Sequence, residues 1–162
     1  MTGDAVSIRP ARAQDAAGIS RVLTASIRAL CGADHGGDPS TIADWLANKT
    51  PEAVASWIAS GARLRLAERG GRLAAVGGWR AAGRTGEILL LYVAPEHRFA
   101  GASAALLAAM EAKMAADGLV EARLESTLTA RRFYAARGWR APDPPGRLRA
   151  GARLTMTRRL SS

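Results

Sequence analysis

One stretch of the chain, residues 89–103, constrains the fold more than any other. It opens with a run of apolar residues that ends at Val93, a pattern typical of a buried β-strand. Pro95 lacks a backbone donor and ends the strand, and Gly101 provides a position without a side chain before an alanine-rich helical stretch. The first N–H groups of a helix have no partner within it, and Arg98 adds a positive charge beside them. The stretch therefore predicts a strand, a bend and a helix N-terminus that suit a pyrophosphate, although such a turn also serves as a plain connection.

The length and composition of the chain set its class. A length of 162 residues and an apolar fraction of 48% predict one domain, residues 1–162, with a sizeable core. Cys31 is the only cysteine, which excludes an internal disulfide bond and favours a reducing, cytoplasmic setting. No apolar stretch is long enough for a membrane span, so we expect no membrane partner. Asp34 and His35 have no companions at metal-ligand spacing, so we expect no metal site.

The charge of the chain is its one strong compositional signal. Lys and Arg number 23 against 14 Asp and Glu, a formal net charge of +9 that predicts an anionic ligand. Nearly all of this charge is arginine, which suits bidentate contacts to phosphate or carboxylate, but a GC-rich genome would produce the same bias. The basic residues are scattered, without a recognition helix or zinc spacing. Nucleic acid is therefore a possible partner but not the favoured one.

Hydrophobic periodicity predicts an α+β fold. Alternating patterns predict strands, and apolar residues at helical spacing predict helices between them. Thr50 and Pro51 have the residue types of an N-cap and a first helical position. The predicted strands cover residues 7–9, 64–68, 73–79, 87–93, 120–125 and 154–157, the last at an edge, with another opening at Trp139. The helix between residues 93 and 120 predicts the one parallel strand pair.

With this order of elements, the chain resembles the GNAT superfamily of N-acetyltransferases over nearly its whole length. Arg98–Ser103 resembles the acetyl-CoA loop of the family: Arg or Gln, two residues, Gly, one residue, then Gly or Ala, here replaced by Ser103. Residues 130–139 resemble its signature of Ala, two residues, Phe-Tyr, three residues, Gly and an aromatic residue. The opening, Ile8 to Asp15, is similar to the usual start of the family. The three pieces in this order make a specific match.

The resemblance implies both a fold and an activity. The fold is a mixed, mostly antiparallel sheet of six to seven strands, flanked by about four helices, with its central strands splayed around acetyl-CoA. The activity is transfer of an acetyl group from acetyl-CoA to an amine by direct attack in a ternary complex. The resemblance does not identify the acceptor, which is a small-molecule or a peptide amine.

The resemblance also implies cofactor-binding residues. Main-chain groups of the central strand hold pantetheine in the family, and the N–H of Leu91 is the candidate donor to the thioester oxygen. Three roles are open for the hydroxyl of Ser103, which replaces the usual small residue: it caps the following helix, it binds a phosphate oxygen, or it crowds the loop. Thr127 stands where many members have an Asn that contacts the cofactor. The implied cofactor-binding set is Leu91, Tyr92, Val93, Arg98, Phe99, Ala100, Gly101, Ala102, Ser103 and Thr127.

Two residues are the catalytic candidates. The family role of Tyr134 is to protonate the departing CoA thiolate, although a Tyr at helical spacing also packs against Phe133 in a core. The acceptor ammonium must lose a proton before it attacks, and Glu87 is the candidate base because similar histone-modifying members carry a catalytic glutamate there. A carboxylate without catalytic duty, with water as the base, is the alternative.

Several functional alternatives stay open at this point. A non-catalytic CoA-binding regulatory domain needs the loop but not Tyr134. A nucleic-acid-associated protein, including an aminoacyl-tRNA acetyltransferase, would account for the charge. We expect the segments Cys31–Trp57 and Pro142–Gly146 to line the acceptor site, and His97 to be exposed. Open sheet edges make a homodimer possible.

Overall fold

The computed structural model of the chain describes residues 5–30, 36–127, 130–141 and 153–161. In these ranges six strands form one sheet, in which each strand lies beside the next strand of the sequence. The predicted strands are confirmed, including the last one at the sheet edge. They are β1 (Val6–Pro10), β2 (Arg63–Arg69), β3 (Arg72–Ala82), β4 (Thr85–Val93), β5 (Glu121–Ser126) and β6 (Leu154–Arg159).

The sheet is mixed and mostly antiparallel. Only β4 and β5 run parallel, and every other neighbouring pair is antiparallel. Parallel neighbours need a long crossover, which the helix between β4 and β5 supplies. The α+β fold and the single predicted parallel pair are therefore confirmed.

Five α-helices lie in the described ranges, and the predicted helix starts are confirmed where the sequence signalled them. The side chain of Thr50 accepts a hydrogen bond from the N–H of Ala53 at 3.1 Å, with Pro51 following it. The helices are α1 (Ala16–Leu30), α2 (Pro39–Leu46), α3 (Pro51–Ala59), α4 (Ala102–Ala116) and α5 (Arg131–Ala135). A 3-10 turn, Pro95–His97, follows β4.

Two apolar layers cover the sheet, one on each face. On the face covered by α4, here called the α4 face, the buried side chains of α4 pack with those of β3, β4 and β5. On the opposite face, here called the α1 face, α1 and α3 pack against β2 and β3. Glycine allows α4 to lie close to the strands, because a Cβ at Gly86 would be 2.6 Å from Sδ of Met114.

A β-bulge divides β4 into two parts. Gly78 of β3 lies opposite Leu90, and Trp79 lies opposite Ile88, so Leu89 has no partner in β3. Ile88 packs on the α4 face, and after the extra residue Leu91 and Val93 pack on that same face. Leu90 and Tyr92 pack on the α1 face. The bulge therefore reverses the alternation of side chains along β4.

Two expectations about individual residues are wrong. Trp139 does not open a strand in the described residues; it is buried, and only an isolated bridge joins Arg140 to Thr157. His97 is not exposed but buried in the 3-10 turn after β4. Cys31, Asp34, His35 and the segment Pro142–Gly146 lie outside the described residues.

The part of the chain that the structure describes contains no helix both long and apolar enough to cross a membrane.

Candidate active site

A cleft of about 580 Å³ opens where β4 and β5 separate. The two strands pair from Thr85 opposite Glu121 to Ile88 opposite Leu124, and the ladder ends there. We call this stretch the paired half, and the following residues of the two strands, 89–93 and 125–126, the open half. The open half lines the cleft, and the walls come mainly from the loop before α4, from α4 and from α5.

The peptide groups of two β4 residues face this gap. The N–H of Ala94 donates to the carbonyl of Ala74 at 2.7 Å, so these residues form a hydrogen-bonded pair of the β3–β4 ladder. Bonded and non-bonded pairs alternate along an antiparallel ladder, which makes Val93 and Leu91 non-bonded positions. Their N–H and C=O groups therefore point away from β3, into the space left by β5. These are the two positions at which the resemblance implies main-chain contacts to pantetheine.

The loop before α4 forms one end of the cleft. Gly101 is the N-cap of α4, with a left-handed φ of 83°, and it makes no side-chain cap. Phe99 also has a left-handed φ, 65°, and its side chain is exposed. The first amide shown to bond inside the helix is that of Ala105, which donates to the carbonyl of Gly101. The turn preceding it is therefore an anion-binding type of helix start.

The structure brings nearly all of the predicted cofactor-binding residues to the cleft. Every member of the set lines it except Ala100. The guanidinium of Arg98 lies 4.6 Å from the ring centre of Phe99. Ser103 lines the cleft from inside α4 and is not the N-cap. Thr127 also lines it, while its Oγ1 accepts a hydrogen bond from the N–H of Ala130 at 3.2 Å.

Tyr134 both packs in the core and lines the cleft. Its ring makes edge contacts with Phe133 and Trp139, at centroid distances of 5.2 and 5.7 Å. The side chain is buried, yet it forms part of the cleft wall on the α4 face. Burial, and to a smaller degree the neighbouring Tyr92, raises the pKa of this phenol above its ordinary value. The phenol of Tyr134 is therefore neutral at physiological pH.

Glu87 lies in the paired half and is not part of the cleft wall. Its carboxylate forms ion pairs with Arg80 at 2.9 Å and with Arg123 at 3.0 Å. The hydrogen bond from Arg80, followed by the charges of the two arginines, holds the pKa of Glu87 below its usual value. A carboxylate engaged in this way is a weak proton acceptor, so the arrangement does not favour Glu87 as the base; that assignment stays a prediction.

The cleft passes through the sheet, because residues of both faces line it. Its opening on the α1 face, here called the α1-side mouth, includes Ser26, Tyr92, Glu125 and Arg153. Sequence reasoning did not single out Glu125 or Arg153. The alternation of Glu125 with buried Leu124 places it on the face opposite α4, but no local signal shows that β4 has separated from β5 there.

Three of the tryptophans, Trp45, Trp57 and Trp79, have different locations relative to the cleft. Trp79 is buried in the core on the α4 face, and Trp57 packs against the core on the α1 face. Neither lines the cleft. The ring of Trp45, in α2, lies 5.0 Å from the guanidinium carbon of Arg153. Of the three, only Trp45 contacts the α1-side mouth.

Among the described residues, no group of three or more His, Cys, Asp or Glu side chains is arranged to hold a metal ion.

Comparison with known proteins identifies the family. Residues 17–159 match the model of the acetyltransferase (GNAT) domain, and the chain belongs to this family. No curated protein matches the chain significantly in sequence.

Solved structures of the same fold resemble the chain over almost its whole length. The PaiA N-acetyltransferase of Thermoplasma acidophilum, in complex with coenzyme A, is 19% identical with a TM-score of 0.79, covering 96% of this chain and 99% of that one. A GCN5-related N-acetyltransferase of Rhodopseudomonas palustris is 23% identical with a TM-score of 0.78, covering 99% of both chains. YncA of Salmonella typhimurium, with its cofactor acetyl-CoA, is 18% identical with a TM-score of 0.66, covering 98% and 95%.

Proposed function

We propose that the protein is an N-acetyltransferase that transfers an acetyl group from acetyl-CoA to a primary amine. The observation that carries this proposal is the open half of the β4–β5 pair. There the peptide groups of Leu91 and Val93 face a cleft with a helix N-terminus at one end and Tyr134 in its wall. Membership of the GNAT family and coenzyme A in structures of the same fold support the choice of co-substrate.

Acetyl-CoA fits the cleft in shape and in charge. The start of α4 offers free N–H groups and the guanidinium of Arg98 to the pyrophosphate. Arg137 lines the same side of the cleft, where its guanidinium stacks 4.0 Å from the ring centre of Phe133. Pantetheine is a chain of amides, and it makes hydrogen bonds to the peptide groups of Leu91 and Val93 that a strand would otherwise make.

The reaction needs one proton acceptor and one proton donor. The acceptor nitrogen attacks the thioester carbonyl carbon, so that a C–N bond forms and the C–S bond breaks. Negative charge develops on the carbonyl oxygen, where the N–H of Leu91 is the donor; one such donor contributes about 3 kcal/mol. As the C–S bond breaks, the attached nitrogen loses one proton to water, and the departing sulfur gains one from the hydroxyl of Tyr134. The phenolate then regains a proton from solvent.

The substitution Tyr134→Phe tests this proposal. Phenylalanine keeps the ring contacts with Phe133 and Trp139 but removes the proton. We expect the rate of CoA release with an active amine to fall about 100-fold or more, with the CoA affinity unchanged in calorimetry. Tyr92→Phe is the matched control, because it removes the other tyrosine hydroxyl beside the cleft, and a smaller loss is expected.

Two outcomes would contradict the proposal. If the wild-type protein binds CoA but turns over no amine of a broad panel, it is a non-catalytic CoA-binding domain. If it does not bind CoA at all, the assignment of the cleft is wrong as well.

A further inference from the structure

Three arginines of the described residues line the cleft, and acetyl-CoA accounts for two of them. Arg98 stands in the loop before α4, and Arg137 follows α5, both at the cofactor side. The third, Arg153, precedes β6 and lines the α1-side mouth. No phosphate of the cofactor is needed there, so this guanidinium requires another explanation.

The neighbours of Arg153 in β6 define the direction in which it faces. Leu154 and Met156 pack in the core on the α4 face. Because side chains alternate along a strand, Thr155 and Arg153 face the α1 face. The position of the guanidinium over Trp45 of α2 agrees with this. Among the described residues no carboxylate pairs with Arg153.

The surroundings of Arg153 add positive charge. Nζ of Lys49 donates to the carbonyl of Trp45 at 2.8 Å. Burial, followed by the charge of Arg153, lowers the pKa of Lys49. Two cations therefore lie close together on the α1 face without a described acidic partner, and an anion from outside would relieve their repulsion.

A carboxylate lies on the same face of the cleft. Glu125 is the first residue of β5 beyond its last pair with β4, and it alternates with buried Leu124 and Ser126. The hydroxyl of Thr155 donates to Oε1 of Glu125 at 2.7 Å. Glu125 makes no ion pair in the described part of the chain.

The β5–β6 pair sets the spacing between Glu125 and Arg153, the two charged groups that make no ion pair among the described residues. Thr155, which carries the hydrogen bond to Glu125, is two residues from Arg153, or about 7 Å between Cα atoms along an extended strand. A ligand that bears both an ammonium and an anion satisfies both groups, whereas a plain amine satisfies only Glu125.

We propose that the acceptor is a small primary amine that also carries a carboxylate, bound with its ammonium at Glu125 and its carboxylate at Arg153. This inference rests on the proposed acetyl transfer. Glu125 also takes one proton from the ammonium: the N–H bond breaks, the carboxylate becomes a carboxyl group, and the freed nitrogen attacks. The carboxyl group later releases this proton to water.

The test compares two series of amines at equal chain length. One series contains amino acids with a terminal amine, from glycine to 6-aminohexanoate, and the other contains alkylamines without the carboxylate. We expect kcat/KM of the best amino acid to exceed that of its matched alkylamine by about 10- to 100-fold. Arg153→Gln is expected to lower kcat/KM for the amino acids more than for the alkylamines, and so to remove this advantage.

Glu125→Gln is expected to lower kcat for both series, because both have an ammonium that must lose a proton. The matched controls are Glu121→Gln and Arg159→Gln. These residues lie opposite each other on β5 and β6 and outside the cleft, and neither change is expected to alter the preference between the series.

The outcomes separate this inference from the proposed function. Alkylamines that react as well as the amino acids would overturn the inference and leave acetyl transfer intact. An equal loss for both series in Arg153→Gln would also overturn it, because a structural role would act on both. If neither series reacts in a protein that binds CoA, the proposed function fails and the inference with it.

Discussion

The two halves of the β4–β5 pair carry similar residues, but their backbone groups and carboxylates have different bonding partners. In the paired half, the strands bond to each other and Glu87 bonds to arginines of both neighbouring strands. In the open half, the peptide groups of Leu91 and Val93 face a cleft, and Glu125 has only the hydroxyl of Thr155 as a described partner. The difference arises within one residue, where β4 carries its bulge.

The comparison shows how one sheet serves as both scaffold and site. Polar groups in the paired half are satisfied by the protein, so they stabilise the fold and are not available to a ligand. In the open half, the N–H and C=O groups of Leu91 and Val93 point away from β3 into the cleft, where a ligand can bond to them. Substitutions in the paired half should therefore change stability, and those in the open half should change binding or catalysis.

The largest effect is expected from removing one amide of the open half. Leu91→Pro deletes an N–H that points into the cleft and makes no bond to β3, so we expect kcat to fall about 100- to 1,000-fold in a protein that still folds. Leu91→Ala is the control for the lost side chain. Leu90→Pro should instead destabilise the fold, since its N–H lies in the β3–β4 ladder. Equal melting temperatures for the two proline variants would contradict the assignment of the register.

A smaller effect is expected at the anion-binding end of the cleft. Arg98→Gln removes a charge-assisted contact to phosphate, and we expect the Kd for CoA to rise about 10- to 100-fold, with a weaker salt dependence of binding. Calorimetry at two ionic strengths measures both. Arg159→Gln, outside the cleft, is the matched control. An unchanged Kd would mean that Arg98 serves only its contact with Phe99.

In the paired half, a substitution should affect stability alone. A side chain at Gly86 would displace Met114, so Gly86→Val is expected to lower the free energy of unfolding by about 1–3 kcal/mol. Denaturant unfolding measures this loss. In a Met114→Ala background the same change should cost less, because the obstructing side chain is gone. A loss of kcat per folded molecule would contradict the claim that substitutions in the paired half affect stability alone.

The smallest expected change concerns the pH profile. Burial raises the pKa of Tyr134, which moves its deprotonation to higher pH than the usual value of about 10. We therefore expect no descending limb of kcat below about pH 10. A descending limb between pH 7 and 9 that disappears in Tyr134→Phe would show that the phenol titrates there after all.

Most of the fold could be predicted because its signals are local. Thr50 and Pro51 predicted a helix start from neighbouring residues alone, and the alternation of apolar and polar residues predicted the strands. The loop from Arg98 to Ser103 was recognisable for the same reason, since its glycine and its charge are contiguous in sequence.

The remainder depends on relations between distant segments. The bulge at Leu89 is defined by the pairing of β4 with β3, and the run of consecutive leucines contains no signal for it. Glu87 and Glu125 both lie in strands with alternating patterns, and only the pairing of β4 with β5 distinguishes them. His97 could not be recognised as buried, because helix α1 covers the turn that contains it.

The outward-facing peptide groups of Leu91 and Val93 amount to a sheet edge in the middle of a sheet. An unpaired edge is normally a template for another strand, and proteins guard their outer edges with charge or with short strands. Here the edge is protected because it lies inside the cleft, whose walls come mainly from α4, the loop before it and α5. Under the proposed function, the pantetheine amides of acetyl-CoA take the place of a neighbouring strand at this edge, and the same molecule is consumed in the reaction.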